Sequence, residues 1–126
     1  MKDDIFRLSD QVREISLALH HHLRHGHLEK VYENGLANRI RKLALPVVQQ
    51  HPLNVYDEDG TLLGEFFADL LVAGRLVIEL KACRALADHH VAQVLGYLRA
   101  SRIEHALLIN FGAPRLEIRK FALTPR

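Results

Sequence analysis

The sequence predicts an α/β fold in which helices flank a mixed β-sheet, with α/β and α+β layering both open. Apolar periodicity and breaker residues give the element order α, α, β, β, β, α, β, β, which fits a sheet with helices packed on it. The inner strands are apolar on both faces, as strands covered on both sides are. The 126 residues, 48% of them hydrophobic, suffice for one core, so residues 1–126 are predicted to form a single domain.

Three segments have the apolar spacing of amphipathic helices. The first covers residues 10–24, with Ser9 or Asp10 as its N-cap, and the second runs from about residue 27 to residue 43. The third covers residues 88–101, between strand-like segments. Each helix is expected to bury its apolar stripe against the sheet.

Five segments have the composition of β-strands. Residues 47–56 form the first, and residues 62–72 and 76–82 follow as a hairpin joined by a short turn that contains a glycine. Residues 105–111 are almost wholly apolar and are expected near the centre of the sheet, and residues 116–123 alternate like a final strand.

Composition excludes several classes of protein. The single cysteine, Cys83, allows no internal disulfide and no four-cysteine zinc site. No apolar run approaches the roughly 18 residues of a membrane span, so no membrane partner is expected. The acidic N-terminal segment does not resemble a secretory signal, so a reduced cytoplasmic location is the expectation.

The net charge of +2 conceals an asymmetry along the chain. Residues 1–74 hold eight basic and eleven acidic side chains, a balance of −3, whereas residues 75–126 hold nine basic and four acidic ones, a balance of +5. The basic part can form a surface that binds phosphates, or its charges can be scattered and solvated. On the asymmetry alone, scattered charges are the favoured reading.

The strongest chemical signal lies in the predicted hairpin FADLLVAGRLVIELKA. Alternation along the strand places Glu79 and Lys81 on one face, and a turn at residues 73–75 brings Asp69 roughly opposite Glu79. Two carboxylates so close repel each other unless a cation lies between them, and Mg²⁺ or Mn²⁺ suits such oxygen ligands. A metal and a nearby lysine are what phosphodiester hydrolysis needs. The alternative is an exposed cross-strand ion pair, which the apolar flanks disfavour.

These residues resemble a known family. Asp69 followed by Glu79-Leu80-Lys81 is similar to the motif of the PD-(D/E)xK nuclease superfamily, and GHLEKVY at 26–32 resembles the pattern of its bacterial branch, the GxxExxY proteins. The similarity covers most of the chain from about residue 10. It implies a restriction-endonuclease-like α-β-β-β-α-β core and a metal-dependent nuclease, with DNA favoured over RNA as its substrate.

The resemblance also implies a role for each motif residue. Asp69 and Glu79 match the metal-binding acids, Lys81 matches the catalytic lysine, and Glu29 matches an additional acid of the metal site. Without the family, Glu29 would be interpreted as a solvated helix residue paired with Lys30 or with the neighbourhood of Arg39. Two further residues, Gly26 and Tyr32, match the structural positions of the GxxExxY pattern.

A second pair of residues lies on the third helix. Gln93 and Tyr97 are four residues apart, so they share a helix face, and they resemble the Gln-x-x-x-Tyr motif of helicase-associated nuclease domains. By that resemblance, Gln93 holds Lys81 or the attacking water, and Tyr97 contacts a phosphate. An ordinary amphipathic helix with a tyrosine reaching the surface is an equal alternative. His90 matches a position that lines the site or the nucleic-acid path.

On this reading the basic C-terminal part contacts phosphates, with Arg84 and Arg99 among the nucleic-acid-binding residues. A homodimer is also plausible for so small a nuclease. Two other hypotheses remain open. The first is a non-catalytic binding module that keeps the nuclease fold. The second is a Zn²⁺ or Ni²⁺ site at His21 and His25, whose spacing of four suits a helix, although a polar helix end is the simpler reading.

Overall fold

The structure is a computed structural model that describes residues 2–123, with side chains from residue 4 onward. Its elements follow the predicted order and form an α+β arrangement of one mixed sheet with flanking helices, so the predicted fold class is confirmed. Their bounds are α1 Lys2–Leu23, α2 Glu29–Arg41, β1 Val47–Tyr56, β2 Leu62–Val72, β3 Leu76–Lys81, α3 Asp88–Ser101, β4 His105–Asn110 and β5 Glu117–Ala122.

The first helix is longer than the sequence predicted. It begins at Lys2, so Ser9 and Asp10 lie inside it and the prediction that one of them is its N-cap is wrong. Ile5 and Leu8 are both buried and extend the apolar stripe by almost two turns toward the N-terminus. This burial outweighs the tendency of serine and aspartate to start a helix, and it leaves the buried Ser9 hydroxyl without a hydrogen-bond partner.

The five strands form one sheet in the order β1-β2-β3-β4-β5. Only β3 and β4 are parallel, and α3 makes the crossover between them, whereas the other neighbours are antiparallel. β3 is buried along nearly its whole length, as predicted for a central strand. The expectation that β2 is covered on both faces is wrong for residues 62–65 and for Phe67, which are exposed because β2 pairs with β3 only from Leu70 to Val72.

Helices cover both faces of the sheet. α1 and α2 pack on one face through the first apolar cluster, whose members include Leu36, Ile40, Leu70, Ile78, Leu80 and Ile109. α3 packs on the other face through the second apolar cluster, whose members include Leu53, Leu71, Val77, Val94, Leu98 and Leu108. Among residues 2–123, no helix is both long and apolar enough to cross a membrane.

β1 and β2 change faces halfway along their pairing. Ala68 and Leu70 are two residues apart and should share a face, yet Ala68 belongs to the second cluster and Leu70 to the first. The change coincides with Gln50, which adopts a left-handed backbone with φ 53° opposite Asp69. The strands therefore twist sharply at the row that contains Asp69, and this row is the centre of the site described next.

Candidate active site

The two predicted metal-binding acids lie where the β2–β3 ladder ends. The last backbone pair is Leu70 with Ile78, so Asp69 and Glu79 form the next row. Here side chains replace backbone partners: the Asp69 N–H donates to Glu79 Oε1 at 3.1 Å, and the Leu80 N–H donates to Asp69 Oδ2 at 2.8 Å. The two carboxyl groups are thus held side by side, each by the backbone of the other strand.

Burial keeps this pair from ionising readily. Glu79 is only 4% exposed, and burial together with the charge of Asp69 raises the pKa of Glu79 to about 8. Burial also raises the pKa of Asp69, against hydrogen bonds from Leu80 and Gln50 that favour its ionised form. A divalent cation between the carboxyl groups would supply the missing positive charge, so the pair has the chemistry of a cation site.

Lys81 is two residues beyond Glu79 on the same face of β3 and is half-buried. Its charge lowers the pKa of the three carboxyl groups of Glu29, Asp69 and Glu79. Among residues 4–123 it makes no ion pair within 4 Å and no hydrogen bond. The ammonium is therefore close to the carboxylates without being neutralised by direct contact.

A buried carboxylate that the sequence analysis missed supports Asp69 from α2. Glu33 is 3% exposed, and its Oε1 accepts a hydrogen bond from Gln50 Nε2 at 2.7 Å. The same Gln50 nitrogen donates to Asp69 Oδ1 at 3.1 Å, which links the helix to the site. Glu33 Oε2 accepts from Gln49 Nε2 at 2.8 Å and from Lys30 Nζ at 2.9 Å. One available signal was the spacing of four between Glu29 and Glu33, which places both on one helix face.

Glu29 is the first residue of α2 and lies near the pair without joining it directly. Its pKa is raised by burial, by the charge of Asp69 and by that of Glu33, whereas Lys81 lowers it. Within residues 4–123, no three His, Cys, Asp or Glu side chains stand close enough together to hold a metal ion. The role of Glu29 as a third metal ligand therefore stays a prediction.

His90 has a structural partner at the start of α3. Its Nδ1 accepts a hydrogen bond from the Ala87 N–H at 3.0 Å, so the ring satisfies a backbone donor that precedes the helix. Burial and the charges of His89 and Lys81 lower the pKa of His90. A neutral ring is also what this hydrogen bond needs, because a protonated Nδ1 cannot accept.

Gln93 and Tyr97 line one groove on α3, as their spacing indicated. Burial and the charges of Glu79 and Asp69 raise the pKa of Tyr97 to about 12, so the phenol stays protonated beside the carboxylates. In the described part of the chain, no hydrogen bond joins Gln93 to Lys81. Gln93 and Tyr97 thus share a face of α3, and their roles at the site stay predictions.

The basic C-terminal residues do not share one surface. Arg75 lies in the turn before β3, whereas the exposed Arg84 lies in the loop after it, at the opposite end of the strand. Arg119 and Lys120 are consecutive residues of β5 and therefore point to opposite faces of the sheet. Scattered charges are thus the better description, with Arg84 and Arg99 on the elements next to the site.

A second polar network fixes the loop that follows Lys81. Asn110 is fully buried, and its Oδ1 accepts hydrogen bonds from the N–H groups of Cys83 and Gly112, each at 3.0 Å. Its Nδ2 donates to the Cys83 carbonyl at 2.9 Å and to Glu117 Oε1 at 2.8 Å. Cys83 takes part through its backbone, and its thiol donates to the Ala85 carbonyl at 3.3 Å. This network has no clear signal in the sequence, because Asn110 is only the last residue of an apolar strand.

Gly26 and Tyr32 act on the connection between α1 and α2. The buried Tyr32 hydroxyl donates to the Arg24 carbonyl at 2.5 Å and accepts from the His27 N–H at 3.2 Å. Its ring stacks on Phe111, with 4.8 Å between centroids. Gly26 has φ 115°, a backbone conformation that side chains disfavour. Both residues therefore fix where α2 begins.

The histidine cluster does not form the helical metal pair. α1 ends at Leu23, so His25 lies outside it and does not share a helix face with His21. His20 is 8% exposed and its Nε2 lies 3.0 Å from the Ala113 carbonyl, so it serves packing. The described residues contain no group of three metal-binding side chains here either.

Comparison with known proteins agrees with this fold. A family model of the PD-(D/E)XK nuclease superfamily matches residues 7–121. Among solved structures, the crystal structure of SSO0001 is similar, with a TM-score of 0.61 and 19% identity, which shows a shared fold. The similarity covers 78% of this chain and 51% of that chain, so the present chain spans about half the length of SSO0001. No curated protein matches. Because the family match spans most of its length, the chain belongs to the PD-(D/E)XK nuclease superfamily.

Proposed function

We propose that this protein is a metal-dependent nuclease that hydrolyses phosphodiester bonds, preferably those of DNA, at Asp69 and Glu79. One observation carries the proposal: the buried carboxyl group of Glu79 and the half-buried one of Asp69 are held by the backbone of each other's strands, and Lys81 follows Glu79 on the same strand face. Membership of the nuclease superfamily supports the same chemistry. The finer placement in the GxxExxY branch rests on Gly26, Glu29 and Tyr32 and belongs to the proposal.

Mg²⁺ or Mn²⁺ is the cofactor that fits this donor set. Mg²⁺ typically takes one or two protein carboxylates and keeps several waters. Asp69 and Glu79 supply two carboxyl groups with raised pKa values, and a nearby cation would favour their ionised forms. When bound, the cation supplies Lewis acidity toward water and phosphate. Glu29 would add a third carboxylate as the site closes on the cation.

The remaining residues would position the substrate. Lys81 stabilises negative charge as it develops on the phosphate, because its ammonium has no direct partner in the described part of the site. Gln93 orients the attacking water or Lys81 once substrate is bound. The other proposed nucleic-acid contacts come from the helix and loop around β3, namely Arg84, His90, Tyr97 and Arg99.

Cleavage assays with a lysine variant test the proposal. We expect the wild-type protein to cut at least one member of a panel of single-stranded, duplex and branched DNA and RNA with Mg²⁺ or Mn²⁺. Lys81→Ala should lose roughly 100-fold or more in rate, as removal of a charge-stabilising group does. Lys42→Ala, an exposed lysine at the end of α2, is the control and should cut like wild type.

A second candidate is a non-catalytic nucleic-acid or protein-binding module that keeps the nuclease fold. It is favoured by the lack of a three-ligand cluster among residues 4–123. The same panel decides between the two functions. If no substrate is cut with either metal, or if Lys81→Ala cuts as fast as wild type, the nuclease is rejected and the module stands.

Two further properties belong to the proposal. The first is a cytoplasmic location. A homodimer would give a chain of 14.4 kDa more surface with which to hold a duplex, and light scattering with and without DNA tests for it.

A further inference from the structure

A groove of about 470 Å³ opens between α3 and the β1–β2 hairpin. Its volume lies within the roughly 300–1,000 Å³ of small-molecule sites. The walls are mostly apolar, with an amide and a guanidinium as polar groups. The residues that line it include Val55, Phe66, Gln93, Gly96, Tyr97 and Arg99.

Two aromatic rings form one wall of this groove. Phe66 of β2 and Tyr97 of α3 are stacked, with ring centroids 4.1 Å apart and planes inclined by 22°. The face change of β2 turns Phe66 toward α3, because Phe66 packs against the second cluster. The row that carries Asp69 therefore also sets the position of this aromatic wall.

Strand β2 joins the groove to the candidate active site. Phe66 lines the groove, and it lies three residues before Asp69 on the same strand. A group in the groove would thus lie close to a phosphate placed at the carboxylates. In a nucleotide chain, the group closest to a phosphate is the sugar with its base.

We propose that this groove binds an unstacked base of a single-stranded nucleic acid, next to the phosphate that is cleaved. The inference rests on the proposed nuclease function and adds the class of substrate. Aromatic rings bind bases of any sequence by stacking, and an arginine binds the adjoining phosphate or stacks on the base. A base inside a duplex is already stacked and cannot enter, so single strands or frayed ends are favoured.

Gly96 allows the groove to be filled without disturbing the fold. It lies within α3, and a Cβ added there meets no atom within 4 Å. Gly96→Leu therefore extends an apolar side chain into the groove and also improves helix propensity, so its Tm should be at or above that of wild type. Loss of binding in this variant would not reflect unfolding.

The control fills a second groove of about 480 Å³ on the other face of the sheet. Ala18 of α1 lines that groove and is exposed, so Ala18→Leu adds the same side chain far from α3. Arg99→Gln is a further variant that changes charge only. It should lower the slope of log affinity against log salt by about one.

Fluorescence anisotropy with a labelled oligothymidine, alone or annealed to its complement, tests the inference in EDTA, where no metal-dependent cutting occurs. We expect the wild-type protein to bind the single strand more tightly than the duplex. Gly96→Leu should bind the single strand roughly tenfold more weakly, the scale of one lost stacking contact, and Ala18→Leu should match wild type.

Equal single-strand affinity of Gly96→Leu and wild type overturns the inference, and so does tighter wild-type binding of the duplex. These outcomes can be distinguished from outcomes that reject the proposed nuclease function. If Gly96→Leu binds normally while cleavage depends on Lys81, the groove assignment falls and the proposed function stands. If Gly96→Leu loses binding while no substrate is cut, the base site stands and the nuclease falls.

Discussion

At the scale of single residues, the site depends on carboxyl groups that are buried before any cation is present. Glu79 is the most buried of the proposed metal ligands, and its neighbours Ile78 and Leu80 are fully covered in the first apolar cluster. Such a group stays protonated near neutral pH unless a positive charge offsets the burial. The protein therefore folds around a site whose charge state depends on pH.

The first prediction concerns this pH dependence. Glu79 has a pKa of about 8 in the folded protein and an ordinary value near 4.5 in the unfolded chain, so the folded state holds the proton more tightly. Stability from this group is complete below about pH 4.5 and is lost as pH rises to about 8, at about 1.4 kcal/mol for each pH unit. Urea unfolding of the metal-free protein at several pH values measures it.

Glu79→Gln should flatten this curve, since glutamine does not titrate, although the raised pKa values of Asp69 and Glu29 leave part of the slope. Glu65→Gln on the exposed part of β2 should leave the curve as in wild type. An identical slope for Glu79→Gln and wild type would show that Glu79 is not held protonated by burial.

A second prediction concerns Gln50, whose side chain bridges Glu33 and Asp69. Gln50→Ala keeps the left-handed backbone of a non-glycine residue and removes only the bridge, so the free energy of unfolding should fall by about 1 kcal/mol. Cleavage should also slow, because Asp69 loses the donor that orients it. Gln11→Ala, at an exposed position of α1, is the control for both measurements. Unchanged stability and rate would mean that the bridge does not support Asp69.

At the scale of elements, the end of β3 is the critical junction. The Phe111 N–H donates to the Lys81 carbonyl at 2.8 Å. The Asn110 side chain, at the end of β4, accepts a hydrogen bond from the Cys83 N–H in the loop after β3. Gly112 packs directly on this loop, where a Cβ would lie 2.2 Å from the Cys83 nitrogen. The close approach of two backbones thus fixes where β3 delivers Lys81.

The third prediction follows from this contact. Gly112→Ala must push the backbone at Cys83 away, so it should lower the free energy of unfolding by about 3 kcal/mol, the upper part of the usual cost of overpacking. Thermal unfolding measures this loss. Gly64→Ala meets no atom within 4 Å and should change stability by about 0.5 kcal/mol at most. A Gly112→Ala protein as stable as wild type would contradict the close packing.

At the scale of the whole molecule, alternation and breaker residues sufficed to predict the element order and the row of Asp69 and Glu79. The start of α1 was missed because Ser9 and Asp10 resemble a cap, whereas the buried Ile5 and Leu8 continue the helix. Whether the cap-like residues or the apolar residues set the start of α1 depends on burial. Burial is a property of the folded chain, so the sequence alone does not decide it.

The face change of β1 and β2 had no sequence signal, because the left-handed residue is Gln50 rather than a glycine. Without it, neither the link from Gln50 to Asp69 nor the stack of Phe66 on Tyr97 could be foreseen. The basic half of the chain likewise suggested a surface that the fold divides between both faces and both ends of the sheet. Proximity in sequence predicts contact within an element, and only topology predicts it between elements.

The central claim is that Asp69 and Glu79 together bind one divalent cation, and titration calorimetry with Mn²⁺ tests it most directly. At a pH above 8, where Glu79 ionises readily, we predict one Mn²⁺ site per chain, with affinity that falls at lower pH as protons compete. Asp69→Asn and Glu79→Gln should each abolish this binding, and Glu65→Gln should bind Mn²⁺ like wild type. No Mn²⁺ binding by the wild-type protein, or binding that survives both substitutions, would contradict the claim.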